Sequence, residues 1–342
     1  MASKTSVLQT LRDVKMIKTF TTAAILATSL LSVSILVQPV FLQEADAYKK
    51  DRDGDLYVAS YGSSEILRYD GDTGEFIDEF VESGSGGLDS PIDLEFAPDG
   101  DLYVADAGNG ILRYDGDTGE FIDEFVESGS GGLDIPRDLV FAPDGDLYIA
   151  SGLTSEVLRY DGDTGEFIDE FVESGSGGLN WPEGLVFAPD GDLYVTSLRT
   201  NDVLRYDGDT GEFIDEFVAD EDAERLFEPR NLVFGADGDL YVTSLTEVLR
   251  YDGDTGDFIE VFALGSPGLI FGPNGDLYVS IGFANEVLRY DGDTGELIET
   301  FVTAGSGGLN DPEALVFADD HKNGHDDGDN HHDKKKDHDH KK

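Results

Sequence analysis

Between residues 51 and 318 the apolar positions come in runs of about five, bounded by Asp, Gly and Pro, and no run sustains a 3.6-residue period. The stretch 138–172 is representative. Asp138–Ala142 (DLVFA) predicts a strand a, and Pro143-Asp144-Gly145-Asp146 a turn. Leu147–Ser151 (LYIAS) predicts strand b, an unbroken apolar run suited to cover on both faces. Glu156–Tyr160 (EVLRY) predicts strand c, and Asp161–Gly165 a second hairpin. Glu166–Val172 (EFIDEFV) predicts strand d, where acids alternate with Phe, Ile and Val as on a half-exposed outer strand.

The same pattern recurs. Tyr-Asp-Gly-Asp-Thr-Gly begins at Tyr69, Tyr114, Tyr160, Tyr206, Tyr251 and Tyr290, at spacings of 45, 46, 46, 45 and 39 residues. Asp/Asn-Gly-Asp-Leu-Tyr begins at Asp53, Asp99, Asp144, Asp190, Asp237 and Asn274. From Arg68, Arg113 and Arg159 the chain is identical for 21 residues. Four strands in a period of this length predict a β-propeller blade. The repeat region opens at strand b (Leu56–Ser60) and ends on a lone strand a (311–318). That last strand can complete the first blade and leave no open edge. The expectation is an all-β, six-bladed propeller over 48–318, closed by its C-terminal strand.

The run Pro-x-x-Leu-x-Phe-x-Pro-Asp-Gly-Asp-Leu-Tyr-Val, beginning at Pro91, resembles NHL-type repeats. Six-bladed propellers of that group include the regucalcin/gluconolactonase-like proteins and the streptogramin lyases. Resemblance to the former implies a divalent ion in the channel, held by carboxylate and Asn oxygens, that activates water for lactone opening. Asp93, Asp138, Glu183, Asn231 and Glu313 are the matching oxygen groups here, the types a hard cation such as Ca²⁺ prefers. The lyases depend on a histidine general base, and residues 51–318 contain no His.

Charge narrows the classes. The chain carries −50, and 51–318 holds 62 acids against 11 bases, all Arg, with no Lys and no Cys. A body this acidic excludes a phosphate-backbone binder and argues against docking on anionic lipid. Thiol chemistry is absent. Neither a phosphate loop nor a Ser/His or Cys/His pair is present, and no motif calls for an organic cofactor. Such a surface suits a salt-rich medium or abundant divalent cation.

The a–b and c–d hairpins lie on one face of the disc and repeat Asp-Gly-Asp. These acids serve turn geometry, or weak calcium sites in which Asp161, Asp163 and Glu166 contribute. The strand-c arginines (Arg68, Arg113, Arg159, Arg205, Arg250, Arg289) are expected to pair with strand-d acids such as Asp169 or Glu170. Repeats differ on the opposite face, where the b–c and d–a loops emerge. Arg137, Trp181, Arg199 and Arg230 fall there on consecutive blades, a set suited to an anionic or sugar-like ligand, or to packing against local acids.

Residues 1–47 read as an export signal. Lys4, Arg12, Lys15 and Lys18 precede an apolar run from Phe20 to Leu42, and Ala45-Asp46-Ala47 predicts cleavage before Tyr48. An uncleaved anchor is the alternative. The protein is thus expected outside the cell or on its surface (periplasmic in a Gram-negative host), with no membrane insertion after cleavage. The segment 319–342 is low-complexity. It holds all six histidines, His321, His325, His331, His332, His338 and His340, and reads as a loose Zn²⁺, Ni²⁺ or Cu²⁺ ligand or as a flexible tail. The expected function is a cation-dependent binding module for a protein, glycan or small anion. The alternative is a metal-dependent lactonase or a lyase.

Overall fold

A computed structural model describes residues 54–219 and 225–318. The signal and tail assignments fall outside these residues. The described chain forms six four-stranded antiparallel sheets, each one blade of a propeller. In blade 3 the strands are Pro136–Phe141 (a), Leu147–Ser151 (b), Glu156–Tyr160 (c) and Phe167–Val172 (d). Strand a therefore starts two residues earlier than its pattern predicts. Strand a of blade 1 is Pro312–Phe317, paired with Leu56–Ser60, so the C-terminal strand closes the ring.

Every strand b is fully buried along its length, as its unbroken apolar run requires. Strand d buries only its last positions. The Tyr of each Leu-Tyr pair locks neighbouring blades together. Tyr148 meets Phe171 of its own blade edge-on at 4.8 Å and Phe187 of the next at 5.0 Å. Such pairs add about 0.5–1.5 kcal/mol beyond area burial, and the motif recurs in all six blades. The strand-c arginines meet the cross-strand acids expected of them: Arg159 Nη2 lies 2.5 Å from Asp169. In blades 5 and 6, Arg250 and Arg289 turn also to the a–b hairpin acids Asp237, Asp239 and Asp276. Gly162 is obligatory, because a Cβ there would lie 1.8 Å from the Gly145 carbonyl oxygen.

The inner strands carry the feature that shapes the channel. Between Pro136↔Ser151 and Leu139↔Ile149, strand a holds one residue more than strand b, a β-bulge at Arg137-Asp138. Blades 1, 2, 4 and 5 repeat it. Blade 6 does not: its strand a is only Leu269–Phe271. The residue before the bulge proline is left-handed in four blades, Ile135 (φ 57°), Trp181 (65°), Glu228 (50°) and Asp311 (53°). For non-glycine residues that conformation needs support. The backbone N–H groups of Trp181, Glu228 and Asp311 donate to Ser155, Asn201 and Asn285 in the preceding blade's b–c loop, at 3.2, 3.0 and 2.7 Å.

Candidate functional site

The bulge pairs of five blades, with Pro267-Gly268 at the matching place in blade 6, line one mouth of the channel. Ile92, Asp93, Arg137, Glu183, Arg230, Asn231, Pro267, Gly268, Glu313 and Ala314 line a cavity of about 280 Å³ there, part of it open to solvent. The bulge explains the convergence. In blade 3 the extra residue lets two successive side chains leave the ladder, Arg137 toward the lumen and Asp138 toward the next blade.

Glu183 is buried and fully occupied. Its Oε2 accepts from Arg137 Nε and Nη2 at 2.9 and 2.6 Å, and its Oε1 accepts from Trp181 Nε1 at 2.6 Å. Arg199 stacks over the Trp181 ring at 4.2 Å. The four expected ligand-binding residues are thus not equivalent. Arg137 and Trp181 converge on Glu183, and Arg199 covers the indole. Among the described residues Arg230 has a single ion pair, 3.6 Å from Glu313, and keeps about a third of its side chain exposed. Burial pushes the Glu313 carboxyl up to about 7, against the pull of Arg230 and Arg137.

The five expected channel ligands divide in the same way. Asp93 and Asp138 turn toward the next blade, where they accept the inner-strand N–H groups of Leu139 and Leu185 at 3.1 and 2.7 Å. They also touch each other. Burial raises both, and two adjacent buried carboxyls cannot both ionise, so Asp138, the more strongly raised, holds a proton against Asp93. Asn231 lines the mouth, its backbone N–H donating to Thr243 Oγ1 at 2.9 Å. The positive charges facing the Glu183 and Glu313 carboxylates are therefore Arg137 and Arg230, a donor set that does not fit a divalent cation. Among the described residues, no three His, Cys, Asp or Glu side chains are placed to hold a metal ion.

One channel carboxyl lay outside the expected set. Glu95 accepts the Phe141 N–H at 3.1 Å, and burial, with the neighbouring Asp93 charge, pushes it up to about 8. Its signal is in the repeat: the residue between Leu and Phe of strand a is Glu95 in blade 2 but Val140, Val186, Val233, Ile270 and Val316 elsewhere. On the hairpin face, Asp161 Oδ1 accepts the N–H groups of Asp163 and Thr164 and the Thr164 hydroxyl, at 3.2, 2.9 and 2.7 Å. This is turn chemistry.

No family model matches the chain, and no curated protein matches it. Solved structures do. A chain of a nidogen/laminin complex is similar over 76% of this chain and 97% of its own, with 15% identity and a TM-score of 0.59. A functionally unknown protein from Desulfotomaculum acetoxidans covers 78% of this chain and 99% of its own, at 15% identity and TM-score 0.56. The extracellular domain of a putative hybrid two component system from B. thetaiotaomicron matches 78% of this chain and 36% of its own, at 16% and 0.53. At these identities the likenesses show the propeller fold. No helix among the described residues is long and apolar enough to cross a membrane.

Proposed function

We propose that the chain is an exported NHL-type propeller that works as a binding module, its loop-face channel mouth taking a small anion, a carboxylate above all. The observation that carries this is Arg230. It lines the cavity with, among the described residues, one long ion pair and a third of its side chain exposed, in a body of −51 where the strand-c arginines are all paired. A planar guanidinium in that position suits two-point recognition of a carboxylate. Arg137, locked on Glu183, lines the same cavity two blades away. The reading of the mouth as a binding site rather than a hydrolytic one is supported by Glu183 being spent on Arg137 and Trp181. The nidogen/laminin and extracellular-domain likenesses are consistent with a binding role outside the cell.

The test is titration of the full chain with acetate, succinate and inorganic phosphate by calorimetry. Arg230→Ala should weaken carboxylate binding at least about tenfold, the loss of one charge-assisted hydrogen bond, and leave the melting temperature unchanged. Equal binding by the variant would overturn the proposal.

A further inference from the structure

The rim of the mouth is lowest at blade 6. Pro267-Gly268 is the bulge-position pair with the least side chain of the six, and strand a there begins only at Leu269. From this gap an uncharged track runs outward. Residues 261–275 contain no charged side chain, in a chain that is 28% charged. Each other d–a connection carries at least one acid, and Leu264 stands where the first three blades have Glu82, Glu127 and Glu173. Backbone bonds bind the track to both neighbouring loops: Gly265 N–H donates to Thr246 O at 2.9 Å, and Gly282 N–H to Ser266 O at 3.3 Å. Leu245 (50% exposed), Leu264 (60%) and Phe283 (86%) adjoin the bonded residues Thr246, Gly265 and Gly282 along this track, whose Pro267-Gly268 end lines the cavity.

We infer that this strip makes the mouth a site for linear carboxylic acids with an apolar body, the head at Arg230 and the chain lying outward over blade 6. The inference rests on the anion reading of the mouth. The charge of the rim favours a small acid of this shape. Of the d–a connections, the one without an acid is that between blade 5, which carries Arg230, and blade 6, in a protein whose acidic surface repels carboxylates. Apolar side chains this exposed, flanking one uncharged track, mark contact surface.

The experiment is a calorimetric series on the full chain with acetate, butanoate, hexanoate and octanoate, with hexanol as uncharged control. Affinity should rise by up to about fourfold per added methylene. Phe283→Ser and Leu264→Glu, the second restoring the residue of blades 1–3, should remove that rise while leaving acetate binding intact. A flat series with Arg230-dependent acetate binding would overturn the apolar strip and leave the anion site standing. Hexanol binding as tightly as hexanoate, indifferent to Arg230→Ala, would overturn both. A rise that survives both strip variants would also sink the inference.

Discussion

The two faces of the disc are both crowded with carboxylates, and they use them in opposite ways. In the c–d hairpins, Asp161, Asp207, Asp252 and Asp291 are partly exposed and accept from a Thr hydroxyl and backbone N–H groups, which lowers each of them below the ordinary aspartate range. Around the channel, Glu95, Asp93, Asp138 and Glu313 are raised, burial being the first cause in each case. An acid in the hairpin is a charged turn former. In the channel it is a proton holder or the partner of an arginine. Residue type alone does not distinguish them; the bulge, which turns side chains inward, does.

The largest effect should come from breaking the buried pair. Glu183→Ala strands the Arg137 guanidinium, 15% exposed, and the Trp181 N–H. It should cost about 3 kcal/mol in urea unfolding, whereas Arg137→Met with Glu183→Leu should recover most of that loss. A single variant as stable as wild type would put the pair in solvent and erase the contrast between faces. Next comes pH. The channel groups bind protons more tightly folded than unfolded, so their contribution is complete below about 4.5, the ordinary glutamate value, and is lost as pH rises through about 7 for Glu313 and about 8 for Glu95. The hairpin aspartates act with the other sign, stabilising above about 4 and losing that contribution as pH falls. Melting temperature should therefore fall from pH 5.5 to 8.5, and Glu95→Gln with Glu313→Gln should flatten that limb without touching the acid limb. The smallest effect sharpens the hairpin side. Thr164→Val removes one hydroxyl donor, and Asp161 should titrate closer to an ordinary aspartate by NMR with no measurable change in melting.

The fold was legible because each blade is specified locally. Strands b and c match their apolar runs residue for residue, and the Arg159–Asp169 pair follows from cross-strand register ten residues apart. The site was legible only in its membership. Sequence marks Arg137, Glu183, Arg230 and Glu313 as the positions where repeats differ, but the partner of each lies one blade or more away: Arg137 and Glu183 are 46 residues apart. Which carboxylate meets an arginine and which meets a backbone amide depends on the bulge, and no short-range pattern encodes it. The Trp181–Glu183 bond joins residues two apart, but across the left-handed Trp181 that precedes strand a, so strand periodicity does not predict it.

Ring closure has a further consequence. In blade 3 the a–b hairpin is defined by Ala142 N–H to Asp146 O at 3.0 Å and Gly145 N–H to Ala142 O at 2.9 Å. In blade 1 the same two bonds form between the ends of the propeller, Ala318 N–H to Asp55 O at 3.0 Å and Gly54 N–H to Ala318 O at 2.9 Å. The hairpin is complete in its hydrogen bonding and lacks only the covalent link, which a Pro-Asp pair like Pro143-Asp144 would supply. The molecule is thus cyclic in everything but its peptide backbone. The blade at which the polypeptide starts is interchangeable with any other that has an a–b turn to open, and circular permutants cut at those turns inherit the same closed ring.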